Sequence, residues 1–205
     1  MESVAAFHRV DRRKATPVGS VLSEHLLFLR SFLAHPARVG AVLPTSAQAV
    51  SDMLDLADLG SASLVVELGS GTGSHTGPIL ERLGPDARLV AFEIDPSLAA
   101  SLRARLTDPR LRVVECSAEH VERELEGERP QVVVSALPFT SLPGDLGAEI
   151  LASVARALAP GGALLVLQYS PLVASGLRQL FRRVERRVTL RNVPPAFLYV
   201  CRDTR

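Results

Sequence analysis

Long apolar runs are missing from this 205-residue chain. The longest, Ala196 to Cys201, has the length of a strand and falls far short of the roughly 20 residues that a membrane-spanning helix needs. Cysteine is scarce: Cys116 and Cys201 show none of the close spacing of a metal site, so no metal is expected. Met1 to Lys14 mixes charges with few apolar residues and does not read as a cleavable signal, which makes a reducing cytosol the expected compartment. Lys14 is the only lysine among 23 basic residues, a bias that points to genome composition more than to mechanism. Aromatic residues make up 4% of the chain against 47% hydrophobic overall. What remains is a length and composition that suit one α/β domain over 1–205 and are short for two.

The formal net charge of +1 hides an asymmetry. Residues 1–40 carry six basic and three acidic groups (+3) and residues 171–205 eight and two (+6), which leaves −8 for the middle. An acidic middle argues against nucleic acid lying across the whole face, and no nucleic-acid partner is expected. The basic ends leave room for a local anionic partner such as lipid phosphate, while any single arginine among them reads as an ordinary solvated side chain.

The strongest signal is Val65-Val66-Glu67-Leu68-Gly69-Ser70-Gly71-Thr72-Gly73. An apolar run from Leu64 ends in three alternate glycines, the pattern of a buried strand passing into a tight turn where the backbone takes positive φ and comes close to a ligand. Helices are expected over Ala47 to Leu59, over His75 to Gly84 with Pro78 in its first turn, and over Leu172 to Phe181, and Val184 to Leu190 with Ala196 to Cys201 read as a terminal hairpin or a pair of adjacent strands. Twenty residues past Gly73, the run Leu89 to Phe92 ends in Glu93, followed by Ile94. A carboxylate at the end of a second strand is placed to accept hydrogen bonds from both hydroxyls of a ribose. Taken alone, the glycines also fit an ordinary strand-to-helix turn; Glu67 and Glu93 together weigh against that.

The spacing G-x-G-x-G with an acid two residues earlier resembles motif I of the class I methyltransferases that use S-adenosylmethionine. Three further segments resemble the narrower family of bacterial phospholipid N-methyltransferases: Val39-Gly40-Ala41-Val42-Leu43-Pro44-Thr45-Ser46 before the first strand, Ser135-Ala136-Leu137-Pro138-Phe139 after the fourth, and Arg191-Asn192-Val193-Pro194-Pro195-Ala196 near the C-terminus. The second of these is also similar, more distantly, to the N-L-P-[YF] motif of the rRNA adenine dimethyltransferases.

The resemblance implies a Rossmann-like fold: a seven-stranded mixed sheet, parallel except for its last strand, with helices on both faces and an N-terminal helical cap over 1–45. It implies S-adenosylmethionine as cofactor and S-adenosylhomocysteine as product, held by Thr45, Ser46, Glu67, Gly69, Ser70, Gly71, Thr72, Gly73, Glu93, Ile94, Ser117, Ala118 and Ser135. Ser117 stands where an acid often meets the adenine amine, so Glu119 or a backbone group is the alternative partner there.

Chemistry is expected at Ser135, Leu137, Pro138 and Phe139, because acceptors sit at the carboxyl ends of parallel strands and a proline-restricted turn there points backbone carbonyls at the acceptor nitrogen, with Phe139 as a wall. Tyr169, after the fifth strand, is the candidate proton acceptor or the ring that holds a cation; His75 is the weaker candidate. The implied reaction is methylation of the amine of phosphatidylethanolamine and its methylated intermediates, by a protein held peripherally at the inner face of the membrane.

The expected membrane contact is N-terminal. Arg9, Arg12, Arg13 and Lys14 form a basic cluster, and between Ser20 and Ala34 a stripe of Leu22, Leu26, Leu29 and Leu33 is flanked by Val21, Phe28 and Phe32. Such a helix either packs under the domain or lies on an anionic bilayer. Three other classes share much of this pattern: a small-molecule methyltransferase of specialised metabolism, an rRNA adenine N-methyltransferase, though the added basic domain expected for structured RNA is lacking, and a non-catalytic nucleotide-binding protein.

Overall fold

A computed structural model of the chain describes residues 45–205. The expected N-terminal arm and cap, with the basic cluster and the segment up to Pro44, lie outside the described residues. Five apolar runs form parallel strands: β1 (Leu64–Leu68), β2 (Arg88–Glu93), β3 (Leu111–Glu115), β4 (Val132–Ser135) and β5 (Ala163–Gln168). β1, β4 and β5 are buried along their whole length, which is why they read as continuous Val/Leu/Ala runs, whereas β3 lies at an edge and alternates. The chain closes with β6 (Phe181–Thr189) and β7 (Ala196–Thr204), each longer than the expected Val184–Leu190 and Ala196–Cys201. The strand order is β3-β2-β1-β4-β5-β7-β6, with β7 antiparallel to both of its neighbours. This is the seven-stranded mixed sheet that the resemblance implied.

Successive residues of each central strand face opposite layers. Val66, Leu68, Val90, Phe92, Val133, Leu164 and Val166 share one core with α4 (Val121–Glu124), α5 (Leu146–Ala157) and α6 (Ala174–Leu180). Val65, Leu89, Val132, Val134, Leu165 and Leu167 share the other with α1 (Ala47–Leu54) and α2 (Thr76–Arg82). α3 (Pro96–Arg105) starts at Asp95, whose side chain accepts from the N–H groups of Ser97 and Leu98. Burying these aliphatic faces supplies most of the stabilisation, at about 25 cal/mol per Å² of apolar surface.

Two elements differ from expectation for local reasons. α1 was expected to reach Leu59 but stops at Leu54, and the Asp58 carboxylate then accepts the Ser61 N–H to form a turn. The expected helix Leu172–Phe181 starts as a 3-10 turn capped by Ser170 and spans only Ala174–Leu180, because Phe181 is buried as the first residue of β6. α1 itself is tied to the far edge of the sheet. Ser46 caps it, donates its N–H to Asn192 Oδ1 (2.8 Å) and its hydroxyl to the Arg191 carbonyl (2.6 Å). Two segments 146 residues apart in sequence, both singled out above, therefore meet.

Candidate active site

The sheet order reverses between β1 and β4, the place where open α/β sheets bind ligands beyond their strand ends. A cavity of about 660 Å³, open on one side, lies there. Its walls include Gly69, Gly71, Glu93, Ile94, Ser117, Ala118, Leu137 and Pro138 of the expected residues. Phe92, Cys116, Ala136, Leu142, Leu146 and Ile150 complete it, and sequence reasoning had named none of these six as site residues. The last three come from the segment after the proline turn and from α5, whose apolar spacing signals a buried helix face without saying that part of the face lines a cavity.

The glycine turn is built from backbone. Gly69 and Ser70 both donate to the Phe92 carbonyl, at 2.9 and 3.0 Å, which closes β1 onto β2. Gly71 has φ +53°, a conformation that an L side chain resists, and it lines the cavity directly. Its N–H donates to Glu93 Oε2 (2.7 Å), and the Asp95 N–H donates to Oε1 (2.8 Å). A carboxylate has about four acceptor positions, and Ile94 adds a weaker backbone bond, so Glu93 keeps capacity for a further donor at the cavity wall. Burial pushes its carboxyl above the ordinary carboxylate range, opposed chiefly by the two backbone bonds.

Behind the turn, the buried Glu67 accepts the Thr76 hydroxyl at 2.7 Å and is pushed up to about 7, first by burial, and further by the charge of Glu93. His75 is held neutral by burial, down to about 4. Among the described residues, Glu67 Oε1, Ser70 Oγ and His75 Nε2 are buried with no hydrogen-bond partner.

The remaining expected residues support the cavity without lining it. Ser46 caps α1, Ser135 accepts the Leu137 N–H (3.2 Å), and Gly73 is packed so closely on α3 that a Cβ would come 2.6 Å from Leu102 Cδ1. Thr72 is exposed and its carbonyl accepts from Arg105. Phe139 is buried in the core, and Glu119 faces His120 at 3.5 Å without reaching the cavity wall.

Tyr169 lies in a second cleft of about 410 Å³, lined also by Ala136, Pro138, Thr140, Ser141, Leu167, Gln168 and Ser170. Ala136 and Pro138 border both spaces, so the two meet at the proline turn. The Tyr169 hydroxyl shares a 3.0 Å hydrogen bond with Thr45 Oγ1, which joins the start of the described chain to the end of β5. Among the described residues, no group of three or more His, Cys, Asp or Glu side chains is placed to hold a metal ion, and no helix is long and apolar enough to cross a membrane.

An apolar slot, a carboxylate with spare acceptor capacity and a glycine turn at its mouth suit a nucleoside, its base against Ile94, Ala118 and Phe92 and its ribose on Glu93. Sheet order and turn together define the class I methyltransferase fold. A family model described as a methyltransferase domain matches residues 65–162. The ornithine lipid N-methyltransferase of Singulisphaera acidiphila is 32% identical over 192 residues, covering 90% of this chain and 98% of that protein. The chain belongs to the S-adenosylmethionine-dependent methyltransferases.

The ribosomal RNA small subunit methyltransferase H of Paracidovorax citrulli is 44% identical, but over 66 residues, 32% of this chain and 21% of that one. Among solved structures, the N-methyltransferase NodS of Bradyrhizobium japonicum WM9 in complex with S-adenosylhomocysteine has a TM-score of 0.68 at 17% identity, covering 87% and 97% of the two chains. The 1,6-didemethyltoxoflavin-N1-methyltransferase of Burkholderia thailandensis has a TM-score of 0.66 at 21%, covering 96% and 94%. These two likenesses show the fold.

Proposed function

We propose that this enzyme methylates the headgroup amine of a membrane lipid, with phosphatidylethanolamine and its methylated intermediates as the substrates that its sequence motifs favour. The observation that carries the lipid reading is the extent of the similarity: it runs nearly end to end with a lipid N-methyltransferase and over only a fragment of the RNA enzymes. That relative's name favours a second substrate, ornithine lipid, which also offers an amine.

S-adenosylmethionine, when bound, supplies a methyl group on a positively charged sulfur. Gly71 and Glu93 with the apolar slot hold the nucleoside, and the turn at Ala136 and Pro138 borders both this cavity and the cleft that receives the amine, so methyl and amine meet beside it. Binding in this closed geometry converts a bimolecular encounter into an oriented one. The amine must arrive neutral, and Tyr169 is the one titratable side chain among the described residues lining the cleft, so it or water takes the proton. We place the enzyme on the cytoplasmic side of the membrane, attached through the basic amphipathic segment of residues 1–34.

Incubating the full chain and labelled cofactor with mixed micelles of phosphatidylethanolamine, of ornithine lipid, or with ribosomal RNA tests the reading. Label in a lipid amine is expected. Label in RNA alone would overturn it.

A further inference from the structure

The proline turn was expected to present backbone carbonyls to the substrate nitrogen. The hydrogen bonds rule that out for the two carbonyls at its centre. The Leu137 carbonyl accepts from the Phe139 N–H at 2.9 Å and from Gln168 Nε2 at 2.6 Å. The Pro138 carbonyl accepts from the N–H groups of Ser141 (2.8 Å) and Leu142 (3.2 Å). A carbonyl oxygen has two lone pairs, so both are fully engaged within the protein. Ala136, the remaining turn residue on the cleft wall, has no polar side chain, and the Thr140 and Ser141 hydroxyls donate as well as accept, so they fix no single direction on an amine.

Gln168, at the end of β5, is buried and its side chain is fixed in one sense. Its Nε2 donates to the Leu137 carbonyl and to the Leu167 carbonyl (2.7 Å), which uses both of its protons. The amide oxygen cannot exchange places with the nitrogen, because two carbonyls cannot accept from an oxygen. Oε1 therefore stays on the other side of the amide, with no hydrogen-bond partner among the described residues, in a residue that lines the cleft beside Pro138 and Tyr169. Tyr169 is already engaged with Thr45, and the Ser170 hydroxyl accepts from the Leu172 N–H at 3.3 Å.

We infer that Gln168 Oε1 is the acceptor that orients the substrate amine, its direction set by the two carbonyls that hold Nε2. The inference rests on the amine reading above. An uncharged oxygen suits the task. It accepts an N–H and so turns the nitrogen lone pair toward the turn, without the stabilisation of the ammonium form that a carboxylate would bring.

The number of N–H bonds on the substrate makes this testable. A neutral primary amine has two, the monomethyl form one and the dimethyl form none, so Oε1 orients the first two acceptors and has nothing to hold in the third. Replacing the amide by Gln168→Leu, or by Gln168→Met should the first variant fold poorly, removes both the acceptor and the clamp on Leu137. Turnover would be measured on micelles of the primary, monomethyl and dimethyl forms of whichever headgroup the wild type accepts, with the affinity for S-adenosylhomocysteine read by calorimetry. First and second transfers are expected to fall roughly tenfold further than the third, about the loss of one hydrogen bond to an uncharged group, while any change in cofactor-product affinity from loosening Leu137 at the cofactor cavity falls on all three alike. An equal fall in all three, or none, would make Gln168 only a brace for the turn and overturn the inference while the lipid reading stands. A wild type that methylates no amine lipid would overturn both.

Discussion

The two sides of the proline turn are built differently. On the cofactor side, the contacts are made by backbone: Gly69, Ser70 and Gly71 donate from the main chain, and Glu93 is oriented by two backbone N–H groups. On the acceptor side, the contacts are made by side chains drawn from distant parts of the chain: Gln168 holds Leu137 and Tyr169 meets Thr45. Backbone construction constrains residue type tightly, since only glycine fits, and it serves a ligand that does not vary. Side-chain construction can be altered one residue at a time, which suits the part of the site that decides what is methylated.

The largest expected effect lies where the acceptor side depends on backbone after all. Gly147, in the first turn of α5, lies against the Phe139 backbone, and a Cβ there would fall inside contact with the Phe139 carbonyl oxygen and 3.1 Å from its carbon. Gly147→Ala is expected to push α5 off the turn and cost about 2–3 kcal/mol as an overpacked site, with turnover lost before cofactor affinity. Urea unfolding and calorimetry measure the two; wild-type stability would show that the helix moves freely.

Glu67 sharpens the other side. Its folded carboxyl titrates near 7 against an ordinary 4.5, so the native state holds more protons than the unfolded one between those values, and stability falls as pH rises through that window. His75 acts oppositely: neutral down to about 4 when folded, against an ordinary 6.5, it costs stability as pH falls from 6.5 to 4. The two slopes oppose each other between 4.5 and 6.5. Glu67→Gln removes the first, so the stability of the variant relative to wild type is expected to rise from pH 4.5 to 7 by on the order of 3 kcal/mol. A difference independent of pH in urea titrations would mean that Glu67 ionises normally.

Glu93→Ala strips two buried N–H groups of their acceptor as well as the expected ribose partner, and is expected to weaken S-adenosylhomocysteine binding by about 1–3 kcal/mol, with Glu93→Gln milder because one oxygen remains. Unchanged affinity in the alanine variant would remove Glu93 from the cofactor site. The smallest effect is expected at Tyr169→Phe, which loses the bond to Thr45, about 1 kcal/mol of stability. Its turnover should fall more than its cofactor affinity if the hydroxyl moves the proton; full turnover would leave the proton to water.

What was legible in the sequence follows the same division. Glycine at alternate positions and acids at two strand ends are local signals, and they led to Gly69, Gly71, Glu93 and Ile94 on the cavity wall. The buried apolar runs marked the strands, while the seven-stranded mixed arrangement came from the family resemblance. Gln168 and Gly147 were missed because nothing within a few residues of either marks it: the role of one depends on a carbonyl 31 residues away, and of the other on a backbone brought close only by packing. Tyr169 was noticed by its position after β5, but its partner Thr45 lies 124 residues earlier, a pairing that periodicity cannot show. The boundary errors at α1 and α6 came from an Asp-initiated turn and from a phenylalanine that packs better as the start of a strand.

The independence of the two sides is the central claim, and calorimetric titration of S-adenosylhomocysteine into Gly71→Val and Gln168→Leu side by side tests it most directly. The valine fills the space where the Gly71 backbone meets the ligand, so no binding heat is expected from that variant, while Gln168→Leu, which only loosens Leu137 at the cavity wall, should still bind. Normal binding by Gly71→Val, or matching losses in both, would contradict the account.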